Sequence, residues 1–205
     1  MSGYDILLKG FQREKVWGPI SRLWHWLLVA SIGVSWWLGE FMTFSTIDWH
    51  FYFGYIILGL MLFRIVWGFI GPAPARFRAL IHTPQQIWRY LKKIGSRSPS
   101  GSAGHNPLGS LSIIALLSSI TLQSVTGLFI ESDDFFDSGP LAGFVSETAI
   151  KQLNGWHHLN AKILLVLVGL HLCAILFYLL WKKENLIKPM ITGWKWVKTN
   201  SSCDE

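Results

Sequence analysis

The stretch His157-HLNAKILLVLVGL-His171-LCAILFYLL-Trp181 reads as one membrane-crossing helix with two histidines set along it. At roughly 100° per residue, His157 and His171 fall about 40° apart around a helix, so both imidazoles share one face. The rise between them is about 21 Å, most of a hydrocarbon core of about 30 Å. His158 sits about 140° from His171 and fails the same test.

Three more runs reach spanning length, so the expected spans cover residues 20–41, 51–70, 109–130 and 158–181. The chain is 51% hydrophobic, 15% charged and carries 12 Trp in 205 residues, too apolar for an ordinary soluble domain. The first run follows a polar segment and lacks a small-residue cleavage site, so it reads as a span rather than a cleaved leader. The expected fold is all-α: an integral membrane four-helix bundle forming a single domain over residues 1–205.

Basic residues set the orientation. Residues 1–22 hold Lys9, Arg13, Lys15 and Arg22; Arg76, Arg78, Arg89, Lys92, Lys93 and Arg97 lie in the 72–108 connection; Lys182, Lys183, Lys188, Lys195 and Lys198 lie in the tail. The other connections carry Glu40, Asp48, Glu131, Asp133, Asp134, Asp137 and Glu147 against Lys151. Positive residues stay inside, so both termini and the 72–108 connection are expected in the cytoplasm. The net charge of +6 is thus a topological signature. No basic soluble face is evident, so no nucleic-acid partner is expected. Cys173 and Cys203 make no disulfide framework, and no CxxCH sequence for covalent haem occurs.

Within the connections, Thr83-Pro84 reads as an N-cap and first helical position. Ile87, Trp88, Tyr90, Leu91 and Ile94 then alternate with Arg89, Lys92 and Lys93, which predicts an interfacial helix over 84–94. Residues 96–109, rich in Ser, Gly and Pro, read as a flexible connection. A short helix is expected from Ser146, with Glu147 in its first turn.

With orientation assigned, depths follow. His25 lies near the cytoplasmic side, His50 and His157 near the periplasmic side, and His171 well toward the cytoplasm. The heights pair His25 with His171 and His50 with His157. Neutral imidazoles paired at two depths suit the axial positions of two stacked haem b groups, with no open coordination site. His82, His105 and His158 lack this geometry. Arg64 and Lys162 are the intramembrane charges. Haem propionates would suit both, Arg64 at the cytoplasmic haem and Lys162 at the periplasmic one; snorkelling to a surface accounts for each equally well. Gly33, Gly54, Gly59, Gly68 and Gly169 either admit a flat macrocycle or permit close helix packing.

The residues Arg22-Leu-Trp-His25-Trp26, Phe63-Arg64-Ile-Val-Trp67-Gly68 and the His157–His171 pair resemble the bacterial cytochrome b561-like superfamily. That group includes the cytochrome b subunits of nickel–iron hydrogenases. Residues 104–109 and 185–190 resemble one branch of stand-alone members. The resemblance implies a four-helix bundle with two b haems on His25, His50, His157 and His171, and a quinone as one redox partner. The expected role is electron transfer across a bacterial inner membrane between the quinone pool and a periplasmic partner. That partner is a c-type cytochrome, which the acidic outer loop (Asp133, Asp134, Asp137) could steer, or a metalloenzyme. A plain solvated loop explains those acids as well. The alternatives are a stand-alone superoxide:quinone oxidoreductase and an anchor subunit of a hydrogenase-type complex.

Overall fold

The computed structural model describes residues 11–102, 104–131 and 137–199. Lys9, Asp133, Asp134 and Cys203 lie outside the described residues. Four long helices form: α1 (Pro19–Glu40), α2 (Ile47–Ile70), α4 (Pro107–Gly127) and α5 (Glu147–Leu180), with the shorter α3 (Pro84–Lys92) and α6 (Ile187–Thr192). Strands β1 (Phe11–Lys15) and β2 (Trp194–Lys198) pair antiparallel, from Phe11↔Lys198 to Lys15↔Trp194.

Among the described residues, α2, α4 and α5 are long and apolar enough to cross a membrane. The helix α1 has 22 residues but is less apolar, because Trp24, Trp26, Trp36, Trp37 and three serines replace aliphatic side chains. Two helices begin earlier than their apolar runs. The Thr43 carbonyl closes a turn ahead of α2, accepting from Thr46 N (3.0 Å) and Ile47 N (3.1 Å), so α2 opens at Ile47 and takes His50 into its first turn. The Ser146 hydroxyl accepts from Ala149 N at 3.4 Å, and with no proline following, the expected short helix and the last span fuse into one helix of 34 residues. At 1.5 Å per residue it runs about 51 Å.

The chain packs as two compact units. One comprises Leu23–Trp67 and Ile114–Gly169. Its core takes Leu28 from α1, Ile57 and Met61 from α2, Ile120 from α4 and Leu164 from α5, with Trp24, Ile32 and Val168 packed around. The Trp24 indole donates to the Leu60 carbonyl at 2.8 Å and ties α1 to α2. Trp37, Leu62, Val66, Leu165 and Val166 face outward, the inverse of a water-soluble surface.

The other unit comprises Met1–Arg22, Gly68–Ile113 and Leu170–Glu205. The sheet belongs to it and has no counterpart in the sequence expectations. Val16, Trp17 and Val197 form its small core with Met190. Helix α3 begins with the expected capping box, in which Thr83 accepts from Gln86 N and the Gln86 side chain accepts from Thr83 N at 2.8 Å. The connection expected to be flexible is tied to the tail. Glu184 accepts from Ser100 N (2.7 Å) and Ser100 Oγ (2.9 Å), Lys182 donates to Ser96 O (3.2 Å), and Lys198 N donates to Gly101 O (3.0 Å). Serine and glycine supply the donors, acceptors and tight backbone for these bonds, so the composition that suggests looseness serves attachment.

Gly193 ends α6 with φ 86°, and its carbonyl accepts from Val16 N and Trp17 N. A Cβ there would stand 2.6 Å from the Trp17 carbonyl oxygen. Gly193→Ala is therefore expected to cost at least about 1–2 kcal/mol, lowering the thermal midpoint of the purified chain by several degrees. Gly33→Ala, where a Cβ meets nothing within 4 Å, is expected to leave it unchanged or raised. Thermal unfolding in detergent checks both.

Candidate functional site

His50 sits near the start of α2, and its Nδ1 lies 2.9 Å from the Ser35 carbonyl oxygen of α1. A carbonyl can only accept, so Nδ1 carries the proton and Nε2 the lone pair. His157 on α5 has Nδ1 3.1 Å from Thr126 Oγ1 on α4. The Thr126 hydroxyl commits its proton to the helix behind it, at 2.8 Å from Leu122 O. It therefore accepts from His157 Nδ1, which again leaves Nε2 with the lone pair.

The two rings stand with centroids 6.4 Å apart and planes at 77°. Two imidazoles that shared one metal ion, each through a metal–nitrogen bond of about 2 Å, would hold their centroids no more than about 6 Å apart. At 6.4 Å the two rings are near enough that both could reach one metal ion. Both residues belong to the same unit.

Glycines leave room for these rings. A Cβ on Gly39 would lie 3.1 Å from His50 Cε1, and one on Gly127 would lie 3.2 Å from His157 Cε1. Neither glycine stands out in the sequence, nor do Ser35 and Thr126. The glycines that do stand out there behave otherwise. A Cβ at Gly33, Gly54, Gly59 or Gly169 meets nothing within 4 Å, while one at Gly68 would collide with the Phe77 ring.

The remaining candidates are placed as follows. His25 is half-buried on α1, its ring edge-on to Trp26 at 5.1 Å. One residue away, the Trp24 ring lies 5.6 Å under the guanidinium of Arg64, which is buried at 7% exposure. His171 is half-buried on α5 and belongs to the other unit. Lys162 is exposed, as is His158. His82 Nε2 lies 3.0 Å from the fully buried Ser110 hydroxyl, and His105 packs against Trp17 at 4.8 Å.

One polar residue beside the pair is absent from the sequence expectations. Asn160, 3% exposed, donates to Ser119 O (2.9 Å) and Gln123 Oε1 (2.7 Å) and accepts from Ser119 Oγ (2.9 Å). Its signal is present all the same: an amide three residues after His157 shares that helical face inside an apolar run. This network joins α4 to α5 directly beside the Thr126–His157 bond.

A family model described as prokaryotic cytochrome b561 matches residues 16–193. The chain is 28% identical over 208 residues to the "probable Ni/Fe-hydrogenase B-type cytochrome subunit" of Azotobacter vinelandii, covering 86% of each chain. It is 30% identical over 161 residues to the protein of the same description from Bradyrhizobium diazoefficiens, covering 70% of this chain and 64% of that one. Against the "probable Ni/Fe-hydrogenase 1 B-type cytochrome subunit" of Escherichia coli K12 the identity is 22% over 205 residues, covering 85% and 87%. No solved structure matches.

Asn160→Leu is expected to strand the Gln123 amide and Ser119 groups in an apolar interior, at about 1–3 kcal/mol. A lowered thermal midpoint of the purified chain checks this. Lys162→Leu, two residues further on and exposed, is expected to fall within about 0.5 kcal/mol of the parent.

Proposed function

The chain belongs to the prokaryotic cytochrome b561 family, and from that premise we propose a dihaem cytochrome b that moves electrons across the inner membrane. The redox partners in this reading are the quinone pool on one side and a periplasmic protein on the other. The observation that carries it is the His50–His157 pair, 6.4 Å between centroids, with both Nε2 lone pairs left for a metal.

Haem, when bound, supplies reversible one-electron chemistry at its iron. The chain's residues supply the rest. His50 and His157 would hold the periplasmic haem from two sides, which leaves no position for oxygen and favours electron transfer. The Ser35 carbonyl and Thr126 hydroxyl fix each ring's tautomer and raise its basicity as a ligand. Helix arithmetic assigns the second haem to His25 and His171, because His171 shares a face of α5 with His157 about 21 Å along. Arg64 would meet the propionates of that second haem, and the exposed Lys162 either those of the first or the headgroups.

In this reading α1 spans the membrane with α2, α4 and α5. Its four tryptophans and His25 trade aliphatic character for ring contacts. In the same reading both termini lie in the cytoplasm, which the basic bias of residues 72–108 and of the tail supports. The relatives described as hydrogenase cytochrome subunits favour a second, compatible reading, in which the periplasmic partner is a hydrogenase docked on this chain.

Pyridine haemochrome analysis of the purified chain is expected to give two haem b per polypeptide; one or none overturns the dihaem reading. His50→Ala and His157→Ala are expected to lose the same haem, His25→Ala and His171→Ala the other, and His158→Ala neither. Reduced-minus-oxidised spectra distinguish these outcomes. Copurification of a nickel–iron enzyme would select the hydrogenase partner.

A buried cation beside a haem favours the reduced, less positive form. Arg64→Leu is therefore expected to lower the potential of the His25–His171 haem more than that of the other, or to reduce its occupancy. Redox titration of the variant decides it; unchanged potentials and full occupancy would mean that Arg64 serves packing against Trp24 and not a haem.

A further inference from the structure

Strand β2 alternates the wrong way round for a strand facing water. Trp194 and Trp196 are 41% and 48% exposed, while Lys195 and Val197 are buried. A solvated strand turns its charges out and its indoles in. Outward indoles suit the lipid–water boundary, where the apolar ring body and the N–H both find partners. Trp181, also 41% exposed, directly follows the end of α5, a helix apolar enough to cross a membrane.

Trp194 and Trp196 also line a pocket of about 330 Å³. Its charged lining is Arg13, Arg97, Lys183 and Lys188, together with Glu184 and Lys195. Glu184 is neutralised by Lys195 at 3.2 Å and further held by Ser100. That is the one ion pair among the described residues, so the other four cations meet no described carboxylate at ion-pair distance. Two of them are stacked on interfacial indoles: Arg13 over Trp194 at 5.1 Å and Arg97 over Trp181 at 4.5 Å.

Lys183 adds an independent sign. Its φ of 55° is the one left-handed backbone among the described non-glycine residues. Glycine is the usual residue just past a helix end, and a side chain in that conformation costs about 1–2 kcal/mol. Here the costlier residue brings a positive charge to the pocket.

We propose that this pocket binds the phosphodiester headgroup of an anionic phospholipid. The ligand chemistry is a phosphate anion. The outward indoles and the position past the end of a membrane-crossing helix commit it to a lipid source rather than free phosphate. The proposal depends on α5 crossing the membrane and not on the assignment of either haem.

The test uses the full chain, delipidated in mild detergent and titrated with cardiolipin or phosphatidylcholine, with bound lipid read by native mass spectrometry. Cardiolipin is expected to be retained and phosphatidylcholine lost. Arg97→Gln with Lys188→Gln is expected to weaken cardiolipin binding roughly 30-fold, from two juxtamembrane charges. Lys183→Gly is expected to weaken it while leaving the thermal midpoint equal or higher, an outcome that misfolding cannot imitate. Arg78→Gln with Lys93→Gln, the same charge change outside the pocket, is expected to have little effect. Equal loss in both double variants would mean diffuse surface attraction and overturn the site. Displacement of cardiolipin by millimolar inorganic phosphate, or equal retention of the two lipids, would overturn the lipid assignment.

Discussion

Hydrocarbon offers no hydrogen bonds, so each polar group on a membrane-crossing helix must find its partner within the protein. That constraint shapes the chemistry of the histidine pair. His157 donates to Thr126, and Thr126 donates to the carbonyl one turn back in its own helix. His50 donates to the Ser35 carbonyl on the neighbouring helix. Each donor has one direction open to it, and the direction chosen leaves both Nε2 atoms as acceptors. A pair of imidazoles in any other tautomer would strand an N–H in an apolar interior. Satisfying each ring N–H and leaving both Nε2 lone pairs open are therefore the same act.

The same rule explains the amide cluster beside the pair. An asparagine in a span is costly unless all its groups are met. Asn160 meets Ser119 twice and Gln123 once, and in doing so adds to the Thr126–His157 bond in linking α4 to α5. Gly39 and Gly127 complete the arrangement by absence of bulk, since any side chain would press on the imidazole edges. Polar satisfaction holds the rings in direction and glycine holds them in position.

In the other unit, charge takes part in the packing. Glu184 gathers Ser100 and Lys195, so the tail and the 96–104 connection close on each other around one buried ion pair. A pair this buried is held by its extra hydrogen bonds as much as by Coulomb attraction. With Glu184 neutralised, the surrounding arginines and lysines keep their positive field.

Sequence alone determined that this is a helical membrane protein of the cytochrome b561 family, where its apolar runs fall, and that Thr83 caps a short helix. Those features depend on local composition, helical periodicity and side chains that act on their own backbone. The direction of each imidazole was not legible, because Ser35 and Thr126 are ordinary helix residues until another helix is packed beside them. Gly39 and Gly127 look like helix-end glycines for the same reason. The strands escaped because five residues near each end of the chain pair only with each other, and no local pattern names a partner so distant. Helix α5 reads as two pieces in the sequence because hydropathy marks where lipid ends, whereas a helix continues until its backbone is capped or broken. Depth along the spans already paired His50 with His157 in the sequence; only tertiary structure set their rings 6.4 Å apart, since that distance depends on which helices pack together rather than on any spacing along one of them.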